Sequence, residues 1–205
     1  MAESRARWGK DGGIMEKLVV VNGSDQILGM KEKLACHLRP ETLHRGFAAF
    51  ILDDTNRLLL SKRSRKKPLW PLSWDNSCSS HPYLGESYRA AGERRIAFEL
   101  GFRVPLRHLY KFKYQADYND RLAEHEVCGV LVGRYSGAVK PNPEEVSQIR
   151  WVSLPKLIAE IAKEPSVFTP WLRIAVEKIQ ADNTYRQVFD GKKGGEQYVS
   201  RKSRG

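Results

Sequence analysis

The sequence predicts an α+β fold in which a mixed β-sheet is layered with helices. Three observations carry that expectation. Short apolar runs bounded by turn residues recur along the chain. A stretch of helical spacing interrupts them at 86–100, and two amphipathic stretches follow at 154–164 and 170–180. Strands outnumber helices without being segregated from them, which fits layers built around one sheet.

Taken in order, MAESRARWGKDGG lacks the apolar run of a secretory signal, and Met15 offers a second start. Residues 1–14 are therefore expected to be a disordered extension. KLVVV (17–21), NGSDQ and ILGM read as strand, turn and short strand. HRGFAAFILDD and RLLLSKR flank polar DDTNR and predict a hairpin. From Glu86 to Leu100 the period becomes helical, with Ile96, Ala97 and Leu100 on one face and Gly101 as the stop. LYKFKYQAD and EHEVCGVLVGRY around YNDRLA predict a second hairpin, and QIRWVS a further strand. LPKLIAEIAKE and PWLRIAVEKIQ complete the set as helices. No repeat or linker divides residues 15–182, so a single domain is expected there, followed by a basic, flexible tail at 183–205.

Composition narrows the function classes. The 205 residues are 41% hydrophobic with five Trp, enough for a core, and no 18-residue apolar run marks a membrane span. Cys36, Cys78 and Cys128 are too few and too scattered for a disulfide framework, which predicts a reducing, cytoplasmic setting. The net charge of +11 has two visible sources, the tail GKKGGEQYVSRKSRG and the cluster KRSRKK at 62–67. The tail reads as disordered. The cluster reads as a solvated face, an RNA-binding patch or a pocket for a phosphorylated small molecule. Nucleic acid is not the expected partner, and the sequence is silent on oligomeric state.

The chemistry-bearing residues are sparse. Each of the five histidines, taken singly, reads more readily as structural than as a ligand. Glu124 and Glu126 change the balance. Residues i and i+2 of a strand share a face, so both carboxylates look into one space while His125 looks away. Solvated charges on an edge strand would look the same. Yet Val127 to Val132 run straight into apolar sequence, where paired like charges are costly unless a cation or proton separates them. Histidine with glutamate suits a divalent metal.

RRIAFELGF (94–102) resembles the end of a Nudix box, G-x5-E-x7-R-E-U-x-E-E-x-G-U with U aliphatic. Arg94, Glu99 and Glu86 match box positions, and Ser80 stands where the first glycine belongs. Arg95 and Phe98 replace two metal-gathering acids, so the hydrolytic centre reads as dismantled. With LACHLRPETLHRGFAAF, WDNSCSSHP, EHEVCGV and FTPWLR in order along the chain, residues 17–180 resemble type I isopentenyl-diphosphate isomerases, a Nudix-fold branch that has lost hydrolysis. The two-histidine segment keeps that family's seven-residue spacing, and WDNSCSSHP resembles its W-T-N-[ST]-x-C-x-H-P loop.

The resemblance implies a Nudix-like fold and the interconversion of isopentenyl and dimethylallyl diphosphate in isoprenoid biosynthesis, through a tertiary carbocation shielded from water. It implies that His37, His44, His81, Glu124 and Glu126 hold a divalent cation, zinc or manganese or magnesium, and that no flavin is needed. Glu99 would hold a second Mg²⁺ that bridges to the substrate. Lys33, Arg63, Lys67 and Arg95 would bind the diphosphate, while Lys62, Arg65 and Lys66 remain a solvated face. Trp171 would face the carbocation, and Glu126 with Tyr114 would transfer a proton on one flank. The other flank is where the family has cysteine, and here Ser79 stands in that position with Cys78 one residue earlier. A serine hydroxyl alone is a poor acid or base, whereas a thiol is better placed. Three outcomes are open. Ser79 relays a proton to water or to a carboxylate, Cys78 reaches the site through a shifted backbone, or the protein binds a diphosphate without isomerising it. Neighbours in extended chain point opposite ways, which counts against Cys78, and the resemblance extends to members with serine at this position, which favours the first. A Nudix-type diphosphate hydrolase is the competing enzyme class.

Overall fold

The computed structural model describes residues 16–190. The expected extension at 1–14 and the tail from 191 onward lie outside the described residues. Nine strands form one sheet: β1 Lys17–Val21, β2 Ile27–Glu32, β3 His44–Leu52, β4 Arg57–Arg63, β5 Trp74–Asp75, β6 Cys78–Ser80, β7 Arg107–Asp117, β8 Ala123–Arg134 and β9 Val146–Ser153. Five helices accompany them: α1 Lys33–His37, α2 Tyr88–Leu100, α3 Leu154–Lys163, α4 Pro170–Ala181 and α5 Asn183–Phe189. None of the helices among the described residues is long and apolar enough to cross a membrane.

The sheet is mixed, as the sequence predicts. β3 runs parallel to β8 over its whole length, from His44↔Glu126 to Leu52↔Arg134, and the other pairings are antiparallel. β3 and β8 are buried on both faces, which is why both read as nearly unbroken apolar runs. On one face Ala48, Phe50, Cys128 and Val130 meet Trp171, Leu172 and Ile179 of α4. On the other, Phe47, Ala49, Ile51 and Leu131 pack against Ala91, Ile96 and Leu100 of α2. Helices thus cover both sides of the sheet.

Local signals explain the ends of α2. Ser87 caps its start by accepting a hydrogen bond from the Ala90 amide, and Gly101 closes it at φ 77°, a left-handed value that suits glycine.

Two expectations need correction. β3 and β4 touch only at Leu52↔Leu58, so the first hairpin splays at once. β3 then pairs with β8 and β4 with β9, because the two diverging strands each find a longer partner elsewhere. The boundary expected at residue 182 also falls inside ordered structure. Asp182 caps α5 by accepting from the amides of Thr184 and Tyr185. Val188 and Phe189 of α5 are buried, and the Phe189 ring meets Phe50 edge-on at 5.7 Å. The core contact holds the helix in place, although its composition is polar.

Candidate active site and metal centre

The sheet brings distant segments to one end. The parallel register sets His44 beside Glu126, and the β7–β8 register sets Tyr114 beside Glu126. α1 ends in His37, and His81 follows directly after β6, whose Ser79 pairs with Ala48 on β3. Alternation along β8 buries Glu124 and Glu126 and leaves His125 facing away, half-buried.

His37, His44, His81 and Glu124 each offer a ligand atom, all within 4.8 Å of one another. Glu124 Oε2 lies 3.1 Å from His37 Nε2 and 3.6 Å from His44 Nε2. Glu126 Oε1 lies 3.2 Å from His81 Nε2 and 3.8 Å from His44 Nε2, at the edge of the group. Donors bound to one ion at about 2.1 Å sit roughly 3.0–3.4 Å apart at octahedral to tetrahedral angles, so these spacings are close to what a shared cation requires.

The ring orientations agree. Nδ1 of His37 lies 2.6 Å from the Lys33 carbonyl and Nδ1 of His44 lies 2.7 Å from the Thr42 carbonyl. A carbonyl only accepts, so Nδ1 carries a proton in both rings and Nε2 is the atom left to turn toward a metal ion. His44 Nε2, both nitrogens of His81 and Glu124 Oε2 are buried without a hydrogen-bond partner. Buried polar atoms are normally satisfied, and a divalent ion would satisfy all of these together. The donor set fits such an ion. Burial, then the charges of Lys33 and His44, hold His81 well below its ordinary range, leaving it neutral as a ligand must be.

The two carboxylates are driven apart. Burial raises Glu124, but the His37 and His44 imidazoles outweigh it and hold the group well below the carboxylate range. Burial and the neighbouring Glu124 charge push Glu126 up. Paired groups pushed in opposite directions are the usual arrangement for dividing acid and base roles. Glu126 Oε2 accepts a 2.9 Å hydrogen bond from the Tyr114 hydroxyl, whose own proton is held by burial and by the Glu126 charge.

Gly46 makes room for this carboxylate. A Cβ built there would meet Glu126 Oε1 at 2.1 Å and Oε2 at 2.3 Å. Gly46→Ala is therefore expected to displace Glu126 and lower turnover by about 10²-fold or more, with the circular dichroism spectrum unchanged. Unaltered kinetics in a folded variant would show that the position of Glu126 is unimportant.

The loop WDNSCSSHP places its thiol and its hydroxyl on opposite faces. Cys78 is 1% exposed and packs in the core with Ala49, Ala91 and Ile96. Burial and the Glu99 charge push its thiol up, away from reactivity. Ser79 is half-buried and turns to the other side, where its Oγ accepts from the Trp171 indole N–H at 3.0 Å. A parallel bridge between Trp74 and Phe168 ties FTPW to the loop, and the Thr169 amide donates to the Trp74 carbonyl. The Trp171 ring lies 6.3 Å from the Tyr114 ring and 5.3 Å from that of Trp70.

The four expected diphosphate cations divide into three settings. Lys67 and Arg95 converge on Glu145, with Arg95 Nη2 at 3.1 Å and Lys67 in a short ion pair. Burial raises Glu145, yet Lys67 and Arg95 prevail and hold it down to about 2. Arg95 also pairs with Glu99 at 2.6 Å, which sets Glu99 against α2's own arginine and apart from the histidine group. Arg63 lies over Trp171 at 5.2 Å, donates to the carbonyls of Leu69 and Trp70, and meets Asp75 at 3.2 Å. Lys33 opens α1 and pairs with Glu16 at 2.9 Å.

Sequence reasoning missed Asp75, Asn76, Thr169 and Glu145. Asp75 and Asn76 were visible in the loop, but nothing local distinguishes them from turn formers. Glu145 lies in PNPEEV, an ordinary acidic turn by sequence.

Comparison with known proteins completes the picture. Residues 42–172 match the NUDIX domain. The isopentenyl-diphosphate Delta-isomerase of Burkholderia multivorans is 37% identical over 80% of this chain and 92% of its own length. The isopentenyl-diphosphate Delta-isomerase 2 of Photorhabdus laumondii is 39% identical over 77% of this chain and 89% of its own. A crystal structure of a Deinococcus radiodurans protein, 22% identical, superposes over 80% of this chain and 98% of its own with a TM-score of 0.66, a likeness of fold. With its domain and its relatives both matched over most of its length, the chain belongs to the isopentenyl-diphosphate Delta-isomerases of the NUDIX family.

Proposed function

We propose that the chain interconverts isopentenyl and dimethylallyl diphosphate. The observation that carries this reading is one aromatic ring that neighbours two proton-handling groups. Trp171 lies beside Tyr114, which is hydrogen-bonded to Glu126, and Trp171 shares its indole hydrogen between Asp75 and Ser79. A substrate lying on that ring would meet the Glu126–Tyr114 pair on one flank and Ser79 on the other. Protonation of the alkene from the Glu126 side creates a tertiary cation. The ring face stabilises it by about 0.5–2 kcal/mol, at the upper end where water is excluded. Loss of a different proton on the Ser79 side completes the transposition.

His37, His44, His81 and Glu124, with Glu126 at the edge, would hold a divalent ion, whose positive charge offsets the carboxylates and orders the acid. Three imidazoles favour zinc or manganese over magnesium there. Lys67 and Arg95 supply charge for the diphosphate, exchanging part of their contact with Glu145 for phosphate oxygens, and Arg63 and Lys33 add to the cradle. Glu99 is the candidate contact for magnesium carried in with the substrate. The activity named for the relatives supports an enzyme of isoprenoid synthesis.

The hydrolase alternative has less support. Arg95 and Phe98 occupy two positions where a hydrolytic box needs acids, and Glu99 is paired with Arg95. Incubation with isopentenyl diphosphate and a divalent ion separates the two. An acid-labile allylic product with no phosphate released is expected, whereas released phosphate or pyrophosphate would overturn the isomerase reading.

A further inference from the structure

Asp75 is a fully enclosed carboxylate that the reaction outlined above does not use. It stands at the second position of WDNSCSSHP, where the resembled motif carries threonine, four residues from the serine that replaces cysteine. Its Oδ1 accepts from the Trp171 indole at 2.7 Å, the Asn76 amide at 2.8 Å and the Thr169 hydroxyl at 3.0 Å, and its Oδ2 faces Arg63 Nη1 at 3.2 Å. Four donors point at the group, so it rests as a carboxylate. Burial raises its proton affinity, opposed by Arg63, Trp171 and Thr169, and the rise prevails. That is the direction a base needs.

Ser79 Oγ has one hydrogen and two acceptors for it, Asn76 Oδ1 at 2.9 Å and Asp75 Oδ1 at 3.3 Å. Asn76 cannot change its role. Its amide nitrogen is fixed on the carbonyls of Ala49 at 3.0 Å and Cys78 at 2.8 Å, which leaves its oxygen facing Ser79. A neutral amide oxygen does not take up a proton near neutrality. Of the two acceptors, only Asp75 can hold one.

We propose that Asp75 is the proton store behind Ser79, so that the Ser79–Asp75 pair does the work of the single thiol the loop lacks. The inference rests on the isomerase reading of this site. In the deprotonation step the substrate C–H bond breaks and its electrons form the new C=C bond, discharging the carbocation. The proton goes to Ser79 Oγ as the hydroxyl's own proton passes to Asp75 Oδ1. Thr169, whose hydroxyl can turn from donor to acceptor, frees the lone pair that receives it. Glu126 has lost one proton and Asp75 has gained one, and both reset by exchange with water after product leaves. The reverse reaction follows the same path backwards. Asp75 acts through Ser79 and is a positioning residue by that measure, although it carries charge that threonine would not.

A double-mutant cycle tests this, with Asp75→Thr and Asp75→Asn each made in the wild-type chain and in a Ser79→Cys chain. In the wild-type background either change is expected to lower kcat by about 10²-fold or more with KM little altered. A thiol needs no relay, so in the Ser79→Cys background the same changes should cost at least about tenfold less, a coupling within the range known for contacting residues. Equal losses in both backgrounds would overturn the relay and reduce Asp75 to a structural support. Melting temperatures of all variants show whether such a loss is a folding defect. A wild-type chain with no isomerase turnover would remove the parent reading and this inference together, a result distinct from equal losses in an active enzyme.

Discussion

Glu126→Gln should reduce isomerase turnover by about 10³-fold, within the range a positioned acid or base contributes. Glutamine keeps the shape of the side chain and can still accept from the Tyr114 hydroxyl, so the fold should survive. What it loses is the ability to give and take a proton beside the alkene. Burial and the neighbouring Glu124 charge both raise this glutamate's proton affinity. Gly46 adds a geometric reason, since the backbone was kept bare where that carboxylate sits. Steady-state kinetics on isopentenyl diphosphate measure the effect, and KM should change far less than kcat. A folded Gln variant that retains full activity would remove Glu126 from proton transfer.

His44→Ala should abolish metal retention and turnover together, and should also destabilise the chain. His44 is 0% exposed, with Nε2 3.6 Å from Glu124 and 3.8 Å from Glu126. Removing it opens a cavity beside two enclosed carboxylates, a large-to-small change in the core of the kind that commonly costs about 2–5 kcal/mol. The ion's own contribution goes as well, about 4 kcal/mol where free metal exceeds Kd a thousandfold. Metal analysis should show about one ion per wild-type chain at this site and far less in the variant. The variant should also melt lower, and adding metal should not restore it. Wild type stripped by a chelator should lose activity and regain it when a divalent ion returns. Full activity after exhaustive stripping would contradict a working metal centre.

The legible part of this protein was its local periodicity. Alternation alone separated Glu124 and Glu126 from His125, because a strand's period of two admits no other arrangement. The same rule separates Ser79 from Cys78, and the two residues do lie on opposite faces of β6. Helix α2 was legible from its apolar face and its glycine stop. The histidine group was not readable from spacing, since His37, His44 and His81 come from a helix end, a strand start and a loop. Their assembly depends on which strands pair, and the unbroken apolar runs of β3 and β8 mark burial on both faces without naming the partner. Only family resemblance pointed to them. Asp75 illustrates the remaining gap. Its donors come from residues 63, 76, 169 and 171, so its burial and its charge are tertiary facts. α5 was obscured for a related reason, a polar sequence held by two buried side chains at its end.

In the proposed centre, residues far apart in sequence share a single ion. Anomalous diffraction from crystals of the purified chain, collected on either side of the absorption edge of its bound metal, tests this most directly. The expected result is one peak at about 2.0–2.2 Å from Nε2 of His37, His44 and His81 and from a Glu124 oxygen, with Glu126 in or beside the coordination shell. A map with no peak among those five side chains, from a preparation that turns over substrate, would contradict it.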